Sequence, residues 1–157
     1  MNIKTAVAVA VAVLLGTACA KGPLDYRAEA PLTAQGRALD SLRNVSVVKA
    51  RSLGLTVYPA DSAVARLQDL GLVINSTGDF LYADHAHGCG LFCKQVDFVI
   101  VTFEEHCQCV TVDAGSFRRP ALLAEWRLVK PSSEIRALAD SLASAVGAGV
   151  VHRSEIE

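Results

Sequence analysis

Apolar residues recur along this chain with two different periods, and the changes of period mark its elements. Over 131–147, Ile135, Leu138, Ala139, Leu142 and Val146 return at helical spacing behind Pro131-Ser132-Ser133-Glu134, which offers a cap and an acidic first turn, with Gly147 beyond. This predicts a helix buried by one face. A second helix begins at Pro59-Ala60-Asp61, with Asp61 as the expected N-cap, Val64, Leu67 and Leu70 on the apolar face and Gly71 as the stop. A third is predicted over 33–43, where Ala34, Ala38, Leu39 and Leu42 share a face despite Gly36.

Between the helices the period falls to two. Residues 45–51 and 55–58 are β-branched runs separated by Ser52-Leu53-Gly54 and are expected to pair as a hairpin. Residues 72–75 and 80–83 flank the turn Ser76-Thr77-Gly78-Asp79. Residues 97–103 are apolar at both parities, which predicts a central strand covered on each side, or one folded against a partner. A further strand is expected over 107–113, then a turn at Asp113-Ala114-Gly115-Ser116, then a strand over 121–129 with Leu122, Ala124, Trp126 and Leu128 inward. Three helices and about six strands joined by hairpin-length gaps predict an α+β domain with a mainly antiparallel sheet.

Composition narrows the class. The 157 residues are 52% hydrophobic and 20% charged, with 15 Lys plus Arg against 16 Asp plus Glu. That is apolar material for one folded domain, without the basic excess that holds a phosphate backbone, so nucleic acid is not among the expected partners.

At the amino end, Lys4 precedes an unbroken apolar run over 6–15, too short for the roughly 20 residues that span a bilayer, so it reads as the core of an export signal. Behind it, Leu15-Gly16-Thr17-Ala18-Cys19 resembles the lipobox of bacterial lipoproteins, in which small residues precede a cysteine that is lipidated and becomes the mature N-terminus. That family usually carries Leu three places before the cysteine; here Gly16 stands there and Leu15 one place further back. The resemblance implies lipidation at Cys19 and a membrane partner reached through acyl chains rather than a spanning helix. Ala20 after the cysteine implies, by the same resemblance, the outer membrane facing the periplasm in a Gram-negative host. Ala18-Cys19-Ala20 also satisfies the small-x-small rule for ordinary secretory cleavage after Ala20, which leaves no lipid. The expected organisation is a signal over 1–18, a lipid-anchored tether over 19–32, one domain over 33–150 and a tail over 151–157.

Candidate chemistry is concentrated in one place. His85, His87, Cys89 and Cys93, followed by His106, Cys107 and Cys109, hold every cysteine after Cys19 and three of the four histidines. In an oxidising compartment four thiols imply two disulfides. Cys107 and Cys109 on one strand would share a face with Cα atoms roughly 6.5 to 7 Å apart, the limit for an unstrained bridge. Crossed bridges from Cys89 and Cys93 to Cys107 and Cys109, in either order, are therefore the expected pairing. The alternative is a soft-metal site, zinc or copper, built from the same four thiolates with His85, His87 and His106, in an exported metal-handling or thiol-redox protein. Cys89-Gly90-Leu91-Phe92-Cys93 also resembles the C-x-x-x-C of Sco-type copper chaperones, which place a proline directly after the second cysteine and use a thioredoxin-like fold; here Lys94 follows, and no βαβ pattern surrounds it.

No G-x-S-x-G elbow, phosphate loop or H-E-x-x-H helix occurs. Glu104 and Glu105 beside His106 read as a solvated turn, Arg118-Arg119 as a basic spot on a loop, Trp126 as core and His152 as an inert tail residue. The expectation is an exported, membrane-anchored lipoprotein whose disulfide-stabilised domain binds or scaffolds, with an envelope protein as a candidate partner, and with no cofactor.

Overall fold

The computed structural model describes residues 24–32, 38–72, 79–105, 108–120, 122 and 125–153. Within them the chain runs β1 (Tyr26–Pro31), α1 (Leu39–Ser52), β2 (Thr56–Tyr58), α2 (Ala60–Leu70), β3 (Asp79–Gly88), β4 (Cys93–Glu104), β5 (Cys109–Pro120), β6 (Arg127–Val129), α3 (Ser133–Val146) and β7 (Gly149–Arg153). The strands form one antiparallel sheet in the order β2-β3-β4-β5-β1-β7. β6 lies beside the second half of β5, from Ser116 opposite Val129 to Arg118 opposite Arg127, while β1 pairs with the first half. The predicted α+β class with a mainly antiparallel sheet is what the chain adopts.

β4 explains the layering. Val99, Val101 and Phe103 face one side, where they pack with Leu42 and Ala50 of α1 and with Ile135, Ala139, Leu142 and Val146 of α3. Val96, Phe98 and Ile100 face the other, against Ala63, Leu67 and Leu70 of α2, with Tyr82 and Phe117 alongside. A strand apolar at both parities is stable only with cover on both faces, and three helices supply it. Each fully buried side chain of this size contributes about 1.5–3 kcal/mol relative to exposure. None of the described helices is long and apolar enough to cross a membrane.

The helix ends follow the sequence signals in part. Ser132 caps α3 by accepting from the Ile135 amide at 3.2 Å, and Gly147 closes it at φ +76°. α2 ends at Gly71 in the left-handed region, as expected. Its N-cap is Pro59, with Asp61 inside the first turn, and Val64 is exposed while Ala63 takes the inward place.

Several boundaries differ from the sequence reading, each because a tertiary contact outweighs a local preference. Residues 45–51 are not a strand but the second half of α1. Leu42, Ser46 and Ala50 form a buried stripe at four-residue spacing, and Ser46 is accommodated because its hydroxyl donates to the Leu42 carbonyl at 2.8 Å. Within the tether expected over 19–32, Tyr26–Pro31 instead form β1, whose Tyr26, Ala28 and Ala30 point into the core while Arg27 and Glu29 alternate outward from it; 19–23 lie outside the described residues. Tyr26 is held further by donating its hydroxyl to Asp140 of α3 at 2.8 Å. The tail expected over 151–157 begins instead as part of β7, which pairs with β1. Asp113-Ala114-Gly115-Ser116 is not a turn but the middle of β5. Asp113 receives a two-pronged ion pair from Arg27 across the strands at 2.7 and 3.0 Å, and Gly115 lies against the Phe98 ring, where a Cβ would come within 2.7 Å. Among the described residues of 121–129, only Arg127–Val129 form a strand, and Leu122 is exposed rather than inward. Leu72 is outside any strand, and 73–78 lie outside the described residues.

Candidate functional site

The β3–β4 hairpin carries the unusual chemistry at its turn. Gly88 pairs with Lys94 as the last rung, and Cys89 and Cys93 then close the loop with a disulfide, their Cα atoms 5.1 Å apart. The Cys89 amide also donates to the Cys93 carbonyl at 3.3 Å. To turn the chain between them, Gly90 adopts φ +116° and Phe92 φ +66°. For glycine this conformation is free of a Cβ clash; for phenylalanine it costs about 1–2 kcal/mol. The two side chains at the tip point into solvent, Leu91 at 91% exposure and Phe92 at 79%. A strained backbone thus holds two large apolar side chains away from the core, and a covalent staple holds that backbone.

This pairing corrects the crossed bridges expected from sequence. Cys93 stands opposite Pro120 and Cys109 opposite Glu104, so the two cysteines mark opposite ends of the β4–β5 ladder. Eleven residues of strand separate those levels, about 36 Å at 3.3 Å per residue. Neither a disulfide nor a shared metal ion can bridge that distance. Cys109 is a free thiol, half-buried, and burial raises its pKa ahead of the nearby charges of Glu29 and Glu104. Among the described residues no group of three metal-ligating side chains comes together. Cys19, His106 and Cys107 lie outside the described residues.

Beneath the hairpin tip is a polar network that the sequence reading did not assemble. His87, Gln95, Asp97, Ser116 and Arg118 come from β3, β4 and β5 and share the face that carries α1 and α3, beyond the apolar part of that core. Asp97 is its hub and is buried. Its Oδ1 accepts from Ser116 Oγ at 2.5 Å and from Gln95 Nε2 at 2.9 Å, and its Oδ2 lies 2.7 Å from His87 Nε2. Arg118 in turn donates to Gln95 Oε1 through Nε at 3.3 Å and NH2 at 3.0 Å. Ser116 Oγ also accepts from the Ser132 amide at 3.4 Å, which ties the network to the cap of α3.

His87 faces acceptors from both ring nitrogens, Asp97 at Nε2 and the Gly88 carbonyl at Nδ1, 3.0 Å away. Only the imidazolium donates to both. Its pKa is accordingly raised, first by the hydrogen bond it makes to Asp97 and then by the one to the Gly88 carbonyl, against partial desolvation. His85 stacks on it with ring centroids 5.5 Å apart and is itself exposed. Serine, histidine and aspartate are all present, but in an order that does not activate the serine. A nucleophilic triad places histidine between serine and carboxylate, whereas here Ser116 donates directly to Asp97. The network ties the ends of β3, β4 and β5 together beneath the tip.

Basic residues surround the same end of the sheet. Lys94, Arg118 and Arg127 are exposed, and Arg119 lies over the Trp126 ring, 5.1 Å from its centroid, with Trp126 packed on the α2 side of the core. Arg118-Arg119, expected on a loop, therefore belong to β5. Leu122, two residues beyond Pro120, is 97% exposed. His152, expected in an inert tail, is exposed in β7 opposite Arg27. A cleft lined by Leu24, Gly115, Leu128, Val129 and Pro131 has a volume of about 180 Å³, below the roughly 300–1,000 Å³ of small-molecule pockets.

The sequence named His85, His87, Cys89 and Cys93, which the structure brings to one end of the molecule. It missed Asp97, Gln95, Ser116 and Arg118. Asp97 looked like the polar start of an apolar strand, and only the register that sets His85 opposite Asp97 and Asp97 opposite Ser116 reveals its role. Compared with known protein families, with curated proteins and with solved structures, the chain matches none.

Proposed function

We propose that this chain is an exported lipoprotein of the cell envelope, anchored through acyl chains on Cys19, whose disulfide-stabilised domain works by binding at its surface. The observation that carries the reading is the Cys89–Cys93 bridge in an exposed turn. A bridge in so accessible a place persists in an oxidising compartment and is reduced in a cytosol, which agrees with the export signal and the lipobox resemblance at the amino end. The binding part of the proposal is supported by the apolar residues that the bridge presents to solvent.

Intact-mass spectrometry of the protein from its native membrane fraction tests the reading, with and without reductant and thiol alkylation. A mature mass beginning at Cys19 with added acyl mass, together with a gain of hydrogen at Cys89 and Cys93 on reduction, is the expected result. A chain beginning at Lys21 without lipid removes the anchor; Cys89 and Cys93 alkylated without prior reduction remove the oxidised domain.

A further inference from the structure

The hairpin tip has the composition of a surface that meets a charged lipid bilayer. Leu91 and Phe92 project from it almost wholly exposed, and Leu122 is exposed just past the neighbouring strand end. At the same strand ends stand the cations Lys94, Arg118, Arg119 and Arg127, and Glu134 lies close enough to act on His87. A few apolar side chains ringed by cations match a bilayer interface carrying anionic headgroups, where the apolar groups enter the acyl boundary and the cations stay with the phosphates. The disulfide and the left-handed Phe92 add the rigidity that lets both side chains enter without first being ordered.

The direction of β1 puts its first residues toward the same end. β1 runs antiparallel to β5, so the chain before it arrives from the side of the tip. Leu24 packs against Gly115, within 3.2 Å of the position a Cβ would take there. From Gly115 to Pro120 the strand advances about 17 Å. The five residues from Cys19 to Leu24 span at most about 18 Å. A fully extended link of that length matches the distance to the Pro120 rung, which is compatible with a lipid on Cys19 and the tip meeting one bilayer.

We infer that the Leu91–Phe92 tip and its basic collar seat the domain on the anionic phospholipid surface of the bilayer that holds Cys19, making a second point of attachment beside the lipid. The two-point geometry rests on the lipoprotein reading; the affinity of the tip for anionic lipid does not.

The test uses the lipid-free chain from Ala20 to Glu157, which contains every element of the described fold. It is sedimented with vesicles of phosphatidylcholine alone and with vesicles of equal parts phosphatidylcholine and phosphatidylglycerol. The expected result is binding to the anionic vesicles that weakens with salt and exceeds binding to the neutral ones. Leu91→Ser and Phe92→Ser each lower the partition coefficient about tenfold, and Lys94→Glu with Arg127→Glu removes the preference for phosphatidylglycerol. All four positions are solvent-facing, so an unchanged urea midpoint and an intact Cys89–Cys93 bond verify that the variants are folded.

Equal partition into both vesicle types, or partition unmoved by the tip substitutions, overturns the proposal. So does crosslinking from position 91 to an envelope protein in cells without vesicle binding, which assigns the tip to a protein partner. Acyl mass on Cys19 is read separately: vesicle binding without it removes the anchor and leaves the tip, and acyl mass without vesicle binding does the reverse.

Discussion

Replacing Gly115 by alanine tests the packing that positions the candidate site. Gly115 sits in the interior of β5 opposite Phe98, with Phe98 Cζ 2.7 Å and Cε1 2.9 Å from where the new methyl would be, and Leu24 Cδ2 at 3.2 Å. The ring has little room to retreat. It is fully buried, stacked against Phe117 at 5.2 Å and against Tyr82 at 6.1 Å. Overpacking of this kind costs about 1–3 kcal/mol. Against it stands the gain of about 0.4–1 kcal/mol from a less flexible unfolded chain, available because Gly115 is not among the left-handed glycines. The expected net is a loss of about 1–2 kcal/mol, read as a urea midpoint lower by roughly 0.5–1 M. Phe98→Leu, which withdraws the ring tip, serves as the partner in a double-mutant cycle. The two substitutions together should cost about 1 kcal/mol less than their sum. A Gly115→Ala protein as stable as the parent or more so, or strict additivity with Phe98→Leu, refutes the account of a glycine retained for an aromatic ring.

Three further outcomes follow from the charges and the staple. Arg27→Ala leaves the buried Asp113 carboxylate without its two-pronged partner and should lower stability by about 3–5 kcal/mol at neutral pH; burial raises the Asp113 pKa even beside Arg27, so Asp113→Asn in that background should recover most of the loss in urea titrations. His87 has a folded pKa above the ordinary 6.5, so its contribution to stability is fully present below that value and is lost as pH rises through the folded one. His87→Gln should remove this fall from a series of urea midpoints taken on either side of neutrality, and parallel curves for the two proteins would show that the Asp97 contact does not form. Cys89→Ser with Cys93→Ser opens a five-residue loop and should cost at most about 2 kcal/mol by the chain-entropy relation. The far-UV dichroism of the sheet should be kept, because the rungs from Asp79 to Gly88 do not depend on the bridge; collapse of the whole sheet on reduction would contradict a local staple.

The relation between sequence and structure divides along physical lines. The two helices with clear caps, α2 and α3, were legible because their signals are local: Gly71 and Gly147 stop them in the left-handed region, and Ser132 reaches an amide three residues ahead. The double-sided burial of β4 was legible because apolar residues at both parities admit no other stable place. By itself the sequence therefore determined the class of fold, the covered central strand and the grouping of His85, His87, Cys89 and Cys93 along one hairpin. What it could not determine depended on partners distant in the chain. Residues 45–51 satisfy both a strand and a helix pattern, and α1 forms because Leu42, Ser46 and Ala50 have a sheet to pack against. Asp113 to Ser116 are turn-forming types, held extended by Arg27 and Phe98. The disulfide was misassigned for the same reason. The sequence predicts crossed bridges because Cys107 and Cys109 suit each other poorly on one strand, whereas the length of the β4–β5 ladder sends Cys109 to the far end and leaves Cys89 and Cys93 to each other. Asp97 became the hub of the polar network only when register placed it opposite Ser116 and within diagonal reach of His87, since a strand states its neighbours along the chain and leaves those across the sheet to the tertiary fold.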